Sequence, residues 1–207
     1  MEQIKITEGA GATEVADWIE ARLNEALAQT GDAIAISVPG GSTPFPIFES
    51  LVTRDLDWSR IEIWPGDDRI VPEDHAASNT GKIRTLFESV GAKVVLLQEV
   101  TSPPRFSIVW LGMGTDGHIA SLFPNTDPQV DDEQKIRRLT PDPLPPEAPF
   151  DRITLTIPAL LNSEMLMFTL GGSAEKRSIF DAAVGGNSDL PIARLLSAAD
   201  MPVRCFT

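Results

Sequence analysis

The chain has 207 residues, of which 42% are hydrophobic and 23% charged, so we expect a single globular domain over residues 1–207 with a substantial core. Its formal net charge of −13 argues against a nucleic-acid partner, because nucleic-acid phosphates select basic surfaces, and any phosphate site must be built locally. No apolar run approaches the ~20 residues of a membrane span, residues 1–5 lack a secretory pattern, and Cys205 is the single cysteine; we therefore expect a cytoplasmic protein without membrane partner or disulfide.

Strand-like and helix-like patterns alternate along the chain, which favours an α/β fold with a mostly parallel sheet. Apolar residues at helical spacing predict a first helix over 13–29, with Thr13 as its cap. Further helices are predicted over 45–52, 78–89, 173–183 and 191–197. Strands are predicted over 33–38, 61–64, 94–97, 106–111, 153–157, 165–170 and 203–206. The proline-rich stretch 124–150 is expected to be mostly loop.

The segment Pro39–Pro44 joins a predicted buried strand to a predicted helix and is the first candidate site. Gly40 and Gly41 expose backbone N–H groups, while the following Ser42 and Thr43 add hydroxyl donors at the start of a helix. This combination is typical of phosphate-binding turns, although an ordinary strand-to-helix turn has the same composition. It lacks the lysine of a Walker loop, so a nucleoside-triphosphate site is not indicated.

The segment Gly112–His118 follows the apolar run 106–111 and contains one of the two histidines. Its three glycines, Gly114 among them, allow a tight turn and a close approach of the backbone to a ligand. A neutral imidazole at His118, oriented by Asp116, is what proton transfer near neutral pH requires. We therefore predict that His118 and Asp116 are catalytic.

Other interpretations of these residues are disfavoured. The glycine segment also matches the G-x-G-x-x-G pattern of dinucleotide sites, but Asp116 would face the pyrophosphate and Phe123-Pro124 leave room for about one helical turn. Two histidines and one cysteine make a zinc site improbable, so no metal is predicted. Cys205 has no evident partner for covalent catalysis, and His75 is expected to be a solvated loop residue.

Two charged clusters complete the candidate site. Residues Asp67–Arg69 follow a predicted strand and offer an acid, a base or a substrate clamp. Gly171–Lys176 is a second glycine turn that leads into a helix, with Ser173 as the predicted cap. A lysine beside a helix N-terminus is unfavourable unless an anion lies between them, which indicates a ligand role for Lys176. Arg152 and Lys176 flank what we predict to be neighbouring strands, so we expect them to converge.

These motifs occur in an order that resembles the 6-phosphogluconolactonase family, within the larger group that includes the glucosamine-6-phosphate deaminases. The matching segments are Pro39–Pro44, Asp67–Arg69 with Ser78-Asn79, Gly112–Pro124, and Arg152–Thr156 with Gly171–Lys176. The deaminases place Tyr after the acid pair and Phe-Asn-Glu-Pro after the histidine. This chain has Arg69 and Ser121–Pro124 there, so the lactonase resemblance is the stronger one. Pro39, Asp68 and the brief connection 98–105 depart from the family pattern, which suggests a compact member.

The resemblance implies a three-layer, Rossmann-like fold and the hydrolysis of 6-phospho-D-glucono-1,5-lactone to 6-phosphogluconate in the pentose phosphate pathway, without metal or organic cofactor. His118 is expected to deprotonate the attacking water, and Arg69 either to stabilise the developing oxyanion or to hold sugar hydroxyls. The predicted substrate-binding residues are Gly40, Gly41, Ser42, Thr43, Asp67, Asn79, Gly114, Arg152 and Lys176.

Two alternatives stay open from the residues alone. A non-catalytic sugar-phosphate sensor would keep the pocket, but the intact Asp116–His118 pair argues against it. A phosphosugar isomerase or deaminase-type enzyme needs a base beside the substrate C2, and Asp67 is available for that role. The sequence leaves the oligomeric state undetermined.

Overall fold

The structure, a computed structural model, describes residues 4–146 and 148–207. Seven strands form an all-parallel main sheet: β1 (Ile4–Thr7), β2 (Ile34–Val38), β3 (Ile61–Pro65), β5 (Lys93–Val94), β6 (Ile108–Leu111), β9 (Leu166–Thr169) and β10 (Val203–Phe206). Its strand order is β1-β10-β9-β6-β2-β3-β5. A second, antiparallel sheet has the order β4-β8-β7 and consists of β4 (Asp67–Arg69), β7 (Ile136–Leu139) and β8 (Arg152–Leu155).

Helices cover both faces of the main sheet. They are α1 (Ala12–Gln29), α2 (Phe45–Leu51), α3 (Asn79–Phe87), α4 (Ile157–Leu161), α5 (Ala174–Val184) and α6 (Pro191–Ala198), with short 3-10 helices at Trp58–Arg60, Glu88–Val90 and Pro124–Thr126. Successive strand side chains point to opposite faces, so each face has its own core. One core joins α1, α2 and α3 to the sheet, and the other joins α4, α5, α6 and the second sheet to it. The predicted three-layer α/β fold is therefore confirmed.

Most predicted elements occur within two or three residues of their predicted bounds. The cap of α1 is an exception: the N-cap is Gly11, without a side-chain hydrogen bond, and Thr13 already lies inside the helix. The cap of α5 was predicted correctly, since the Ser173 side chain accepts a hydrogen bond from the Lys176 N–H. Strand β1 was not predicted, and residues 1–3, which precede it and belong to the segment considered for a secretory pattern, lie outside the described residues.

The placement of the strand around Arg152 was wrong. The alternating pattern over 153–157 indicated a strand, but β8 pairs with β4 and β7 and is not part of the main sheet. The predicted neighbourhood with the strand before Lys176 therefore does not exist, because β9 lies between β6 and β10. Alternation of apolar and polar residues indicates a strand with two unlike faces, but it does not indicate which strands pair with it. The loop predicted over 124–150 contains β7, whose Ile136 side chain is buried.

The parallel sheet brings four predicted motifs together at the carboxyl-terminal ends of its strands. Strands β9, β6, β2 and β3 are adjacent, and all four end at the same side because they run in the same direction. The segments that follow them are the two glycine turns at Pro39–Pro44 and Gly171–Lys176, the histidine turn Gly112–His118 and the acidic strand β4. Ligands of open α/β sheets bind beyond the carboxyl ends of the strands. No helix within 4–146 and 148–207 is long and apolar enough to cross a bilayer.

Candidate active site

A cavity of about 750 Å³ opens at the carboxyl ends of these strands. Asp116 is the one predicted site residue that does not line it, and its carboxylate lies behind the imidazole of His118. The predicted residues that line the cavity are Gly40, Gly41, Ser42, Thr43, Asp67, Arg69, Asn79, Gly114, His118, Arg152 and Lys176.

The histidine turn holds an imidazole–carboxylate pair. Nδ1 of His118 lies 2.6 Å from Oδ1 of Asp116, which also accepts the His118 backbone N–H over 3.2 Å. A side chain at Gly114 would overlap both the imidazole and the carboxylate, so glycine is required there for close approach. The turn is closed by the Gly117 N–H, which donates to the Gly114 carbonyl, and Gly117 has a φ of +76°.

The carboxylate of Asp116 orients the imidazole. Partial burial disfavours the Asp116 carboxylate, but the hydrogen bond and charge of His118 outweigh it and hold the pKa of Asp116 below its ordinary value. An ionised Asp116 accepts the proton on Nδ1, so a neutral His118 carries its free lone pair on Nε2. The Phe123 ring lies against the imidazole, with the ring centroids 4.6 Å apart. The geometry suits a general base.

The histidine turn is braced by helix α6, which the sequence did not reveal. The Ile192 N–H donates to the Gly117 carbonyl over 3.2 Å, and the Leu190 side chain packs where a side chain at Gly117 would have to lie. Both contacts come from residues more than 70 positions away along the chain, so no local pattern predicted them.

The two glycine turns are in contact. A side chain at Gly171 would lie 3.1 Å from the methyl carbon of Thr43, and Gly171 has a φ of +65°. This contact brings the first turn of α5, and with it the half-buried Lys176, beside the Gly40–Thr43 turn. Glycine is also required at Gly40, where a side chain would overlap the amide of Asn79. The Gly40–Thr43 turn, with its two hydroxyl side chains, and Lys176 thus line one cavity, and these are residue types that anion sites use.

Asp68 has a structural role that the sequence did not separate from Asp67. It is 5% exposed, and its carboxylate accepts the backbone N–H groups of Arg69, Asn79 and Thr80 over 2.6–2.9 Å. The Ser78 hydroxyl donates to it as well, over 3.2 Å. Asp68 therefore fastens the N-terminus of α3 to β4, and it does not line the cavity.

Asp67 faces the cavity instead. Burial raises the pKa of Asp67, although the hydrogen bond from Ser121 and the charge of Arg69 act in the opposite direction. The Ser121 hydroxyl donates to the Asp67 carboxylate, and the Asn79 amide donates to the Asp67 carbonyl oxygen over 3.0 Å. Ser121 is almost fully buried, and its backbone N–H donates to Thr154 of β8 over 3.2 Å. Ser121 was absent from the predicted site residues.

Arg69 and Arg152 are direct cross-strand partners of β4 and β8. Arg152 is 3% exposed, and its pKa is lowered by burial and by the charge of Arg69. Like charges directly opposite each other on two strands are destabilising, so an anion in the cavity would relieve their repulsion. The structure thus brings Arg152 into the same cavity as Lys176 by a different route from the one predicted.

The outer edge of the cavity was missed by sequence reasoning. His75 is exposed, as expected, but it also lines the cavity and packs edge-on against Phe150. These residues come from two loops without a recognisable motif, and only the fold brings them together. Burial raises the pKa of the Cys205 thiol to about 12, which leaves it unsuited to act as a nucleophile. Within the described part of the chain, no group of three His, Cys, Asp or Glu residues is arranged to hold a metal ion.

Comparisons with known proteins identify the family of this chain. The family described as glucosamine-6-phosphate isomerases/6-phosphogluconolactonase matches residues 7–99 and 91–203. A 6-phosphogluconolactonase from Pseudomonas aeruginosa is 34% identical over 90% of this chain and 87% of its own length. One from Neisseria meningitidis is 31% identical over 90% of this chain and 89% of its own.

A solved structure shows the same similarity in three dimensions. The crystal structure of a 6-phosphogluconolactonase from Shewanella baltica superposes with a TM-score of 0.81 at 28% identity, over 100% of this chain and 97% of that one. The sequence match, the fold and the order of the site motifs all point to one assignment. The chain belongs to the glucosamine-6-phosphate isomerase/6-phosphogluconolactonase family.

Proposed function

We propose that this chain is a 6-phosphogluconolactonase, which hydrolyses 6-phospho-D-glucono-1,5-lactone to 6-phosphogluconate in the pentose phosphate pathway. One observation carries the proposal: His118, which is paired with Asp116, and the glycine turn at Gly40–Thr43 line the same cavity of about 750 Å³. A cleft that contains both an anion site and a general base fits a substrate with a phosphate at one end and a reactive carbonyl at the other. The relatives that bear the lactonase name support the same assignment.

The phosphate group binds the Gly40–Thr43 turn in this proposal. Backbone N–H groups and two hydroxyls surround it, and the Lys176 ammonium balances part of its charge. Arg152 lines the same cavity and contributes further positive charge. Because these groups hold the phosphate, they orient the lactone ring toward the histidine turn and place its carbonyl for reaction.

His118 acts on water. Its Nε2 accepts a proton as the water oxygen attacks the lactone carbonyl carbon, and Asp116 stabilises the imidazolium that forms. Arg69 faces the cavity and stabilises the negative charge that develops on the carbonyl oxygen. When the tetrahedral intermediate collapses, the bond between the carbonyl carbon and the ring oxygen breaks, and His118 returns its proton to that oxygen. One water is consumed, and no group stays attached to the protein.

The test is proton release after freshly prepared 6-phosphogluconolactone is added, corrected for spontaneous hydrolysis. We expect His118→Asn to lower turnover ~10²–10⁴-fold, the usual contribution of a general base, while 6-phosphogluconate still binds. Full turnover by this variant would remove His118 from the mechanism. Ammonia release from glucosamine 6-phosphate, without lactone hydrolysis, would replace the lactonase assignment by the deaminase-type one.

The phosphate contact is tested separately. Lys176→Ala removes an ammonium that we place on the phosphate, so 6-phosphogluconate should bind ~10–100-fold more weakly, as expected for a hydrogen bond to a charged group. Lys93→Ala is the matched control, because that ammonium pairs with Glu62 outside the cavity. Equal affinities of the two variants, measured by titration calorimetry, would refute the contact.

A further inference from the structure

Two loops meet at the exposed edge of the cavity, and one of the paired arginines holds each of them. Arg69 donates from Nη1 to the Ala77 carbonyl oxygen over 2.9 Å, and Arg152 donates from Nη1 to the Phe150 carbonyl oxygen. The loops touch where the His75 ring packs edge-on against Phe150, with centroids 5.5 Å apart and planes at 74°. We call the pair His75–Phe150 the rim contact. The two cationic side chains thus hold the backbone of the two loops that form the rim contact, at Ala77 and at Phe150.

The hydrogen bonding of His75 determines which ring nitrogen is available to a ligand. The Ala77 backbone N–H donates to Nδ1 of His75 over 3.0 Å, so Nδ1 is an acceptor and carries no proton in the neutral ring. The proton of the neutral imidazole then resides on Nε2. Nδ1 is occupied by its own loop, so in the neutral ring the nitrogen left free for a ligand is the Nε2–H donor, and His75 lines the cavity.

We propose that His75 is a ligand-contacting residue of this site, and that its Nε2–H donates a hydrogen bond to an oxygen of the bound phosphosugar. The inference rests on the proposed function, since a phosphorylated polyhydroxy ligand supplies the oxygen acceptors. The ring lines the same cavity as His118 and Lys176, and it is held in place before any ligand arrives. A donor that is fixed in advance contributes to affinity without further ordering of its side chain.

Three substitutions separate this contact from a purely structural role of the ring. His75→Asn keeps an acceptor near the Nδ1 position but loses the donor at Nε2, whereas His75→Gln keeps a donor near Nε2 and loses the acceptor. His75→Ala loses both. The readouts are the dissociation constant of 6-phosphogluconate by calorimetry, the separate values of kcat and KM for the lactone, and the thermal midpoint.

We expect His75→Ala and His75→Asn to bind 6-phosphogluconate ~5–10-fold more weakly than the unmodified protein, the usual effect of one lost hydrogen bond. His75→Gln should recover most of that loss. The change should fall on KM and leave kcat within about 2-fold, because a contact made equally in ground and transition states alters binding alone.

Two results would overturn the inference. The first is unchanged affinity in His75→Asn, which keeps an acceptor for the Ala77 N–H and has no donor at the Nε2 position. The second is an equal loss in His75→Gln and His75→Ala, since the acceptor at Nδ1 and the loop would then account for the effect. The proposed function fails differently: the unmodified protein would neither hydrolyse the lactone nor bind 6-phosphogluconate.

Discussion

Asp67 and Asp68 are adjacent carboxylates with opposite surroundings. The Asp68 carboxylate accepts hydrogen bonds from four donors, three of them backbone N–H groups of β4 and α3. Asp67 receives a side-chain hydrogen bond from Ser121 and lines the cavity. One residue of the pair therefore serves the fold, and the other keeps a carboxyl group available for chemistry.

The burial of Asp67 has a consequence for stability. In the unfolded chain this carboxyl ionises near its ordinary pKa of 3.8, whereas burial raises the pKa in the folded protein. The folded state thus binds the Asp67 proton more tightly, so this group lowers stability as the pH rises above the unfolded pKa. We expect Asp67→Asn to raise the thermal midpoint at pH 7, with a gain that shrinks toward zero as the pH falls to about 4 and below.

Thermal denaturation followed by circular dichroism between pH 4 and pH 8 measures this effect. Asp131→Asn, at an exposed loop position, is the matched control and should show no such trend. A stability difference for Asp67→Asn that is independent of pH would show that the burial of the charge is not its cause.

At the scale of elements, helix α3 depends on a carboxylate from outside its own sequence. Ser78 caps its N-terminus by accepting the Gly81 N–H, and Asp68 satisfies the backbone N–H groups of Asn79 and Thr80. Since Asn79 also contacts the Gly40 turn and the backbone of Asp67, the position of α3 controls the shape of the site.

Asp68→Ala should therefore destabilise the protein. It leaves buried N–H groups without an acceptor, which costs about 2–3 kcal/mol in the free energy of unfolding. Asp68→Asn keeps one acceptor oxygen, so its free energy of unfolding should lie between those of Asp68→Ala and the unmodified protein. Urea denaturation measures both variants, and equal stabilities of Asp68→Ala and the unmodified protein would contradict this role.

Local patterns predicted elements well and their partners poorly. The strand at Val203–Phe206 and the cap at Ser173 follow from residues within a few positions of each other. The assignment of β8 to a second sheet depends on its pairing with residues more than 80 positions away, as at Arg69↔Arg152. The same holds for the site. Each motif could be identified from its own residues, whereas the rim contact and the packing of Leu190 against Gly117 exist only in the folded chain.

At the scale of the whole molecule, charge is distributed unevenly. The chain has 30 acidic and 17 basic residues, yet Arg69, Lys82, Arg152 and Lys176 all line one cavity whose lining contains a single carboxylate, that of Asp67, within residues 4–146 and 148–207. Low-dielectric walls focus such a local field, so an anion experiences attraction in the cleft despite the negative molecule around it.

The two cores lie on opposite faces of one sheet and share its strands, so we predict that residues 1–207 form a single cooperative domain. Differential scanning calorimetry should show one transition with equal calorimetric and van't Hoff enthalpies. Two separate transitions, one for the main sheet and one for the β4-β8-β7 sheet, would divide the chain into two domains.

Strands β6 and β2 are adjacent in the main sheet, so the spacing of hydrogen-bonded strands bears on the size of ligand that the site accepts. Neighbouring strands lie about 4.8 Å apart, and this spacing is the same in every sheet. The histidine turn and the glycine turn follow the ends of two such neighbours, so backbone geometry sets the distance between the points at which the two turns begin. A change of ligand size would have to come from the loops that surround them, where insertions leave the ladder intact.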